Sequence, residues 1–152
     1  MLEKLHEASP EALQFLVENR AGFELAEGAP ISPTTEYLKE QIAIDGHRVL
    51  IARDGDQIAA MVMTMPHPTT KIPWIGFFLV DEKRRGQGVG RRVLGQIEDL
   101  WRGERELQLA VLKHNEPGLK FWQSLGFEVF DERISQPHGA LCFVLRKEIG
   151  NG

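Results

Sequence analysis

VDEKRRGQGVGRRVLGQ, residues 80–96, is the most informative stretch of this 152-residue chain. The apolar residues 74–80 predict a strand that runs into a basic turn, and the turn runs into a helix. Gly86, Gly88 and Gly90 leave the backbone without side-chain cover where the helix begins. Unpaired N–H groups can therefore converge there on one anion, with the helix dipole behind them. The turn is flanked by basic residues that raise the local positive potential, namely Lys83, Arg84, Arg85, Arg91 and Arg92.

Two other phosphate-binding motifs fail on spacing. A dinucleotide fingerprint requires G-x-G-x-x-G, but after Gly86 and Gly88 the third glycine arrives one residue early, at Gly90. A P-loop requires four residues between its glycines and then Gly-Lys-Ser or Gly-Lys-Thr, which does not follow here. From this segment alone, the alternative to a phosphate site is that the glycines only make the strand-to-helix connection flexible.

A second informative stretch, LAVLKHNEPGLKFWQSLGF, occupies residues 109–127. It predicts a strand, a turn, a short helix and a glycine stop. Asn115 suits the N-cap, Pro117 suits the first helical turn, and Gly126 suits the position after the helix. The predicted apolar face of this helix consists of Phe121, Trp122 and Leu125.

Together the two stretches resemble the motifs of the GNAT superfamily of N-acetyltransferases. Residues 85–90 resemble its acetyl-CoA motif, Gln/Arg-x-x-Gly-x-Gly/Ala, and residues 115–127 resemble Asn-x-x-Ala-x-x-Phe-Tyr-x-x-x-Gly-Phe. Gly118 stands in the Ala position and Trp122 in the Tyr position. The resemblance implies an α+β fold with αβα layers. Its central sheet is mixed and mostly antiparallel, with helices on both faces and a splayed pair of parallel strands.

The predicted elements agree with this fold most weakly before residue 48. A strand at residues 2–6 precedes a helix capped by Ser9, with Pro10 at its first position and a buried face of Ala12, Leu13, Leu16 and Val17. Residues 20–33 are predicted to be irregular, with Gly22, Gly28, Pro30 and Pro33 as breakers. A second helix begins at Thr34 or Thr35.

The remaining elements alternate strands and helices. Strands are predicted at 48–53, 57–65, 74–80, 107–112, 127–134 and 140–147, and the first two are joined by the turn Asp54-Gly55-Asp56. Residues 58–63 are apolar on both faces, which favours a central strand. The helix after the glycine turn carries an apolar stripe of Val89, Val93, Ile97, Leu100 and Trp101. We predict that His138, between Pro137 and Gly139, lies in a hairpin turn.

Composition restricts the function classes. The chain is 42% hydrophobic and 26% charged with a net charge of −4, so we expect neither a nucleic-acid nor a membrane partner. We expect residues 1–149 to form one domain and residues 150–152 to be a disordered tail or a cloning remnant. No signal peptide or membrane-length apolar run is seen, so a cytoplasmic location is expected. The single cysteine, Cys142, excludes an intrachain disulfide and is expected to be a buried strand residue.

The resemblance assigns the cofactor site residue by residue. In the family, the strand before the loop carries a bulge and splays from the next parallel strand, so that its free backbone groups hold pantetheine. Here that role falls to Phe78, Leu79 and Val80. The implied pyrophosphate contacts are Arg85, Gly86, Gln87, Gly88, Val89, Gly90 and Arg91. Asn115, Phe121 and Trp122 complete the implied acetyl-CoA site.

The implied reaction is direct attack of a neutral amine on the acetyl thioester, which passes through a tetrahedral intermediate and expels the CoA thiolate. In that reaction we expect a backbone N–H near Leu79 or Val80 to polarise the carbonyl. The family's usual proton donor is the tyrosine that Trp122 replaces here. An indole N–H is not an acid at neutral pH, so we expect water to protonate the thiolate. Trp122 is also expected to pack in the core.

The general base is not identified by the sequence. Residues 74–80 and 109–112 contain no carboxylate, although many family members carry one on the first of these strands. Substitutes in the segment that covers the acceptor site of this fold are Glu24, Glu27, Glu36, Tyr37 and Glu40. Solvated surface charge is the more ordinary role for each glutamate, and core packing for Tyr37. His114 is a further candidate beside Asn115, where a solvent-facing loop histidine is the commoner case.

The sequence therefore predicts an acetyl-CoA-dependent N-acyltransferase that acetylates a primary amine of a small molecule or peptide. The alternative is a catalytically weak acyl-CoA-binding or sensor module of the same fold. Nucleic-acid binding is the least favoured of the three functions. The five histidines show no H-x-x-x-H spacing, so no metal is assigned. The identity of the acceptor remains open. A homodimer is expected only if residues 127–145 are apolar on their outer face.

Overall fold

A seven-stranded sheet in the order β1-β2-β3-β4-β5-β7-β6 runs through the protein. The computed structural model describes residues 2–27, 31–134 and 139–150. The strands are β1 (Leu2–Lys4), β2 (Arg48–Asp54), β3 (Gln57–Pro66), β4 (Pro73–Val80), β5 (Glu106–Leu112), β6 (Glu128–Ile134) and β7 (Leu141–Glu148). The helices are α1 (Pro10–Glu18), α2 (Arg20–Glu27), α3 (Thr35–Ala43), α4 (Val89–Leu100) and α5 (Glu116–Ser124), and a 3₁₀ turn covers Glu82–Arg84.

The sheet is antiparallel except between β4 and β5. These two strands run parallel and pair only at Trp74 with Gln108 and at Ile75 with Leu109, after which they separate. The register between β3 and β4 shifts at the same level, because Met63 faces Phe77 and Thr64 faces Ile75. The residue left over is Gly76, which forms a bulge that bends β4. The predicted mixed sheet with a splayed parallel pair is confirmed.

Each face of the sheet is covered by helices. α1, α2 and α3 bury residues such as Leu16, Phe23 and Leu38 against Met61 and Leu79. On the other face, α4 and α5 pack Val93, Ile97 and Trp122 against Ala60, Val62 and Ile75. Alternate residues of β3 and β4 therefore belong to different cores, which is why both strands are apolar on both sides.

Capping residues and turn glycines determine where several helices begin, where one helix ends and where one hairpin turns. Ser9 accepts from the Ala12 N–H (3.2 Å), Thr34 from the Tyr37 N–H (3.0 Å) and Asn115 from the Gly118 N–H (3.0 Å), so all three are N-caps. Gly55 and Gly126 adopt φ angles of +64° and +98°, as the predicted hairpin turn and helix stop require.

The prediction that residues 20–33 are irregular was wrong, because Arg20–Glu27 forms α2. Phe23 is fully buried and its ring packs at 5.0 Å from the ring of Tyr37 and 5.9 Å from that of Phe77. Gly22 is not a breaker. A methyl group there would lie 2.7 Å from Leu79 Cδ1, so glycine allows α2 to approach the sheet closely. Of the other predicted breakers, Gly28 and Pro30 lie outside the described residues, and Pro33 lies just before Thr34, the N-cap of α3.

Two residues predicted to be buried are exposed. Val17 is 48% exposed because α1 turns Ala12, Phe15 and Leu16 toward the sheet instead. Leu100 is 43% exposed, and Trp101 at the end of α4 packs against the core in its place. In each helix, the predicted apolar face was one residue too wide.

β6 forms one outer edge of the sheet, and all seven of its residues are exposed. Its apolar side chains Val129, Phe130 and Ile134 are accompanied by Leu141 of β7. The homodimer stays a prediction, and His138 lies outside the described residues. Cys142 is buried on β7, as predicted. Within the described part of the chain, no helix has both the length and the apolar character needed to cross a membrane.

Candidate active site

The glycine turn presents free backbone donors at the start of α4. Gly86 and Gly88 have φ angles of +80° and +79°, a conformation that side chains disfavour. Gly88 is the N-cap of α4 and makes no side-chain cap bond. Because the first helical bond runs from the Arg92 N–H to the Gly88 carbonyl (3.1 Å), the three N–H groups of residues 89–91 have no partner within the helix. The arrangement suits an anionic ligand.

The basic residues around the turn divide into two kinds. Arg84 is committed to the protein, since it pairs with Asp54 (3.0 Å) and Asp81 and donates to Gln57 (2.9 Å). It holds the turn against the β2–β3 hairpin. The other basic side chains at the turn are exposed and form no ion pair with a described residue; they are Lys83, Arg85, Arg91 and Arg92. These are available to an incoming polyanion.

Beyond Ile75, the β5 side of β4 has no paired strand. The Asp81 N–H donates to the Ala59 carbonyl of β3 (2.8 Å). Hydrogen-bonding directions alternate along a strand, so the N–H groups of Phe78 and Val80 point into the gap, whereas that of Leu79 points to β3. Of the three residues predicted to hold pantetheine, Phe78 and Val80 therefore carry the donors that an extended ligand can reach.

A cleft of about 490 Å³ opens where β4 and β5 separate. The end of α2 lines one side with Leu25 and Glu27, and His67 and Trp74 line a second. Asn115 and Trp122 of the α5 segment lie opposite. The cleft therefore joins the free edge of β4 to the N-terminal helices.

Aromatic packing fixes Trp122. Its ring lies 4.8 Å from that of Phe78, 4.9 Å from that of Phe121 and 5.2 Å from that of Phe127, and it is 7% exposed. Trp122 is thus both a core residue and a wall of the cleft. Phe121 packs against the start of α4, because a methyl group on Gly90 would lie 2.6 Å from Phe121 Cζ. The two sequence motifs are in direct contact at this point.

Glu27 and Tyr37 meet at the wall of the cleft. The Tyr37 hydroxyl donates to Glu27 Oε1. Burial, followed by the neighbouring carboxylate, raises the pKa of Tyr37 far above its ordinary value, so the hydroxyl remains a neutral donor. Of the other candidates, Glu24 pairs with Arg20 (3.2 Å), and Glu36 and Glu40 are exposed. Glu27 is the carboxylate among the five candidates that the fold brings to the cleft.

His114 and Asn115 separate in the structure. Asn115 lines the cleft with its side chain engaged as the α5 cap, whereas His114 is exposed and is not among the residues that line the cleft. Among the described residues, no three His, Cys, Asp or Glu side chains are grouped so that they could hold a metal ion.

Sequence reasoning missed His67 and Asn19. His67 lines the cleft, and its Nδ1 accepts from the Thr69 N–H (3.1 Å) and the Thr70 N–H (3.3 Å). In the neutral ring Nε2 therefore carries the proton and is a donor. Asn19 is 4% exposed beside the glycine turn, and a buried asparagine at a helix end is a signal that the sequence alone does not distinguish from a surface cap.

Comparison with known proteins agrees with this geometry. A family model described as acetyltransferase (GNAT) family matches residues 14–127. The chain belongs to the GNAT acetyltransferase family. An uncharacterized protein of Mycobacterium leprae is 37% identical over 71 residues, which are 45% of this GNAT chain. The chain spans about a fifth of that protein's length, 20%.

Solved structures of GNAT proteins share the fold over nearly the whole chain. The ribosomal-protein-S18-alanine N-acetyltransferase of Escherichia coli superposes with a TM-score of 0.70 at 19% identity, covering 100% of this chain and 95% of the other. An aminoglycoside 6'-N-acetyltransferase complexed with coenzyme A gives a TM-score of 0.71 at 15% identity, covering 98% and 97%. At this identity the likeness concerns the fold.

Proposed function

We propose that this protein is an acetyl-CoA-dependent N-acetyltransferase that transfers an acetyl group to a primary amine by direct attack. The observation that carries the proposal is the continuity of two sets of free backbone donors. The N–H groups of Phe78 and Val80 face the β4–β5 gap, and the gap leads to the unpaired N–H groups at the start of α4. An extended arm joined to a pyrophosphate matches this sequence of donors, and acetyl-CoA contains such an arm.

The same donors supply the electrophilic part of the reaction. The amine nitrogen forms a bond to the thioester carbon, and negative charge develops on the carbonyl oxygen. A backbone N–H of β4 that points into the gap, at Phe78 or Val80, donates to that oxygen without reorganising. The tetrahedral intermediate then breaks its C–S bond, the nitrogen gives up its extra proton to water, and the thiolate takes a proton from water. Trp122 encloses this space but supplies no proton.

We assign the amine-facing role to Glu27. A primary amine is largely protonated at neutral pH, with a pKa near ~8 for an α-amine and ~10.4 for a lysine. The Glu27 carboxylate attracts the ammonium form, and the Tyr37 hydroxyl fixes the orientation of that carboxylate. An ionised glutamate is a weak base, so we expect the ammonium proton to leave through water beside Glu27.

The residues that line the cleft indicate which kind of amine the protein acetylates. Two proteins of the same fold are named for a ribosomal-protein alanine and for an aminoglycoside, so the fold serves unlike amines. Leu25, Met65 and Trp74 are among the apolar residues that line the same cleft as Glu27. We propose a small-molecule or peptide amine with an apolar group next to the nitrogen.

Glu27→Gln tests the assignment, because it keeps the size and the acceptor for Tyr37 but removes the charge. We expect thiol release from acetyl-CoA, measured over a panel of amines, to fall by about 10²-fold, within the range for loss of a positioned acid–base group. Glu36→Gln, on the exposed side of α3, is the matched control and should leave the rate unchanged. Equal rates in both variants would remove Glu27 from the mechanism.

The acyl-CoA sensor remains a second candidate because neither β4 nor β5 carries a carboxylate in the gap and Trp122 occupies the position of the family's acid. A sensor would bind acetyl-CoA without transferring its acetyl group, and this distinguishes it from the enzyme. Acetyl-CoA that binds tightly but releases no thiol above water hydrolysis on any amine favours the sensor. Thiol release with any primary amine favours the enzyme.

A further inference from the structure

Asn19 links the N-terminal helices to the glycine turn. It is 4% exposed and lies between α1 and α2. Its side-chain Nδ2 donates to the Phe15 carbonyl (2.9 Å), and its Oδ1 accepts from the Glu82 N–H (2.8 Å). These two partners fix which end of the amide is oxygen. The second bond joins residues 63 positions apart in the chain.

The backbone of Asn19 is equally engaged. Its N–H donates to the carbonyls of Phe15 (3.1 Å) and Leu16 (3.2 Å), and its carbonyl accepts from the Phe23 N–H (2.9 Å). Asn19 thus closes α1 and starts α2. With its backbone fixed and both ends of its amide bonded, the side chain has one orientation, so its Oδ1 is a fixed acceptor.

The partner of that acceptor opens the phosphate turn. Glu82 is the first residue of the 3₁₀ turn Glu82–Arg84, where a backbone N–H has no helical partner. Asn19 satisfies it. The turn ends at Arg85, so its conformation sets where the chain enters the glycine segment.

α2 contacts the same turn a second time. A methyl group on Gly22 would lie 3.1 Å from Arg85 Nη2, so the guanidinium of Arg85 rests on the first turn of α2. The other end of α2 carries Glu27. One helix therefore spans from the phosphate turn to the amine-facing carboxylate, and Asn19 anchors its start.

We propose that Asn19 is a positioning residue that holds the 3₁₀ turn and Arg85 in the geometry that receives the acetyl-CoA pyrophosphate. This inference rests on the proposed acetyl-CoA site. The alternative is a merely structural role, in which Asn19 stabilises the α1–α2 junction without affecting the ligand. The two roles differ in whether the Oδ1 acceptor matters separately from stability.

Two variants separate these roles. Asn19→Leu removes both side-chain bonds at similar volume. Leu16→Val removes a buried methylene from the same helix and leaves the acceptor intact. The readouts are the Kd for acetyl-CoA by titration calorimetry, kcat and KM for acetyl-CoA, and the melting temperature.

We expect Asn19→Leu to raise the Kd and KM for acetyl-CoA roughly tenfold, the ratio that corresponds to one lost hydrogen bond of a buried group, with a smaller change in kcat. Leu16→Val should lower the melting temperature but keep the Kd near that of the wild type. If Asn19→Leu does not fold, Asn19→Ser, whose hydroxyl is too short to reach Glu82, takes its place.

An unchanged Kd in the folded Asn19→Leu or Asn19→Ser variant overturns the proposal. So does an equal rise in Kd for Leu16→Val, because stability alone then explains the effect. Failure of the proposed function looks different, since the wild-type protein would then bind no acetyl-CoA at all.

Discussion

Tyr37 is the only tyrosine in the chain, so its ionisation can be followed without interference from another phenol. Its hydroxyl donates to Glu27, and burial raises its pKa well above the ordinary value of ~10. A raised pKa favours the protonated form in the folded state. Below the ordinary pKa both states are protonated and lose nothing, whereas at higher pH the unfolded state gains by ionising and folding stability falls.

Alkaline titration of tyrosinate absorbance checks this pairing. In the wild type, we expect the tyrosinate signal to appear only together with unfolding, as followed by circular dichroism. Glu27→Gln removes the neighbouring negative charge, so tyrosinate should form at lower pH than in the wild type. A wild-type Tyr37 that titrates near its ordinary pKa while the protein is still folded would contradict the buried pair.

At the scale of elements, local signals and tertiary contacts contributed differently to what the sequence could predict. α4 and α5 were predictable because glycine, asparagine and proline mark their ends and apolar spacing marks their faces. α2 was not predictable, because the roles of Phe23 and Gly22 depend on contacts with Phe77 and Leu79, which are more than fifty residues away. The meeting of Glu27 with Tyr37 depends on α2, so the sequence left the two residues as separate candidates in a set of five.

Two glycines outside helices and strands provide a matched test of the phosphate turn. Gly46 and Gly88 share a φ of +79°, and an added Cβ would meet nothing within 4 Å at either position. Gly46→Ala and Gly88→Ala should therefore cost similar stability, roughly 1–2 kcal/mol for a left-handed non-glycine residue. Only Gly88→Ala should raise the Kd for acetyl-CoA, because its methyl group lies where backbone donors meet the ligand.

Thermal unfolding and titration calorimetry on both variants measure the two effects separately. Arg84→Gln extends the comparison, since Arg84 is bound to Asp54, Asp81 and Gln57 and is not a free phosphate ligand. We expect it to raise the Kd less than a bulky residue at position 88 does. If Gly46→Ala and Gly88→Ala weaken acetyl-CoA binding equally, the turn is not the pyrophosphate site.

At the scale of the whole molecule, the sheet is least continuous where the ligand is proposed to bind. β4 and β5 share only two register pairs, whereas β5 and β7 share seven. The mixed sheet, and a splayed pair at the strand before the loop, were predictable from the family resemblance. The residue that forms the bulge, Gly76, was not, because a glycine in an apolar strand is compatible with several registers. A ligand in the gap would join the two parts of the sheet.

Ligand binding should therefore stabilise the entire fold. At acetyl-CoA concentrations a hundredfold above Kd, linkage contributes ~2.7 kcal/mol, which for a chain of this size corresponds to a rise in melting temperature of roughly 5–11 °C. Calorimetric melting with and without acetyl-CoA measures it. At one fixed ligand concentration, Gly46→Ala should keep the wild-type rise and Gly88→Ala should show a smaller one. Equal rises in the two variants would mean that acetyl-CoA binds without the turn, and no rise in the wild type would mean that it does not bind the folded chain.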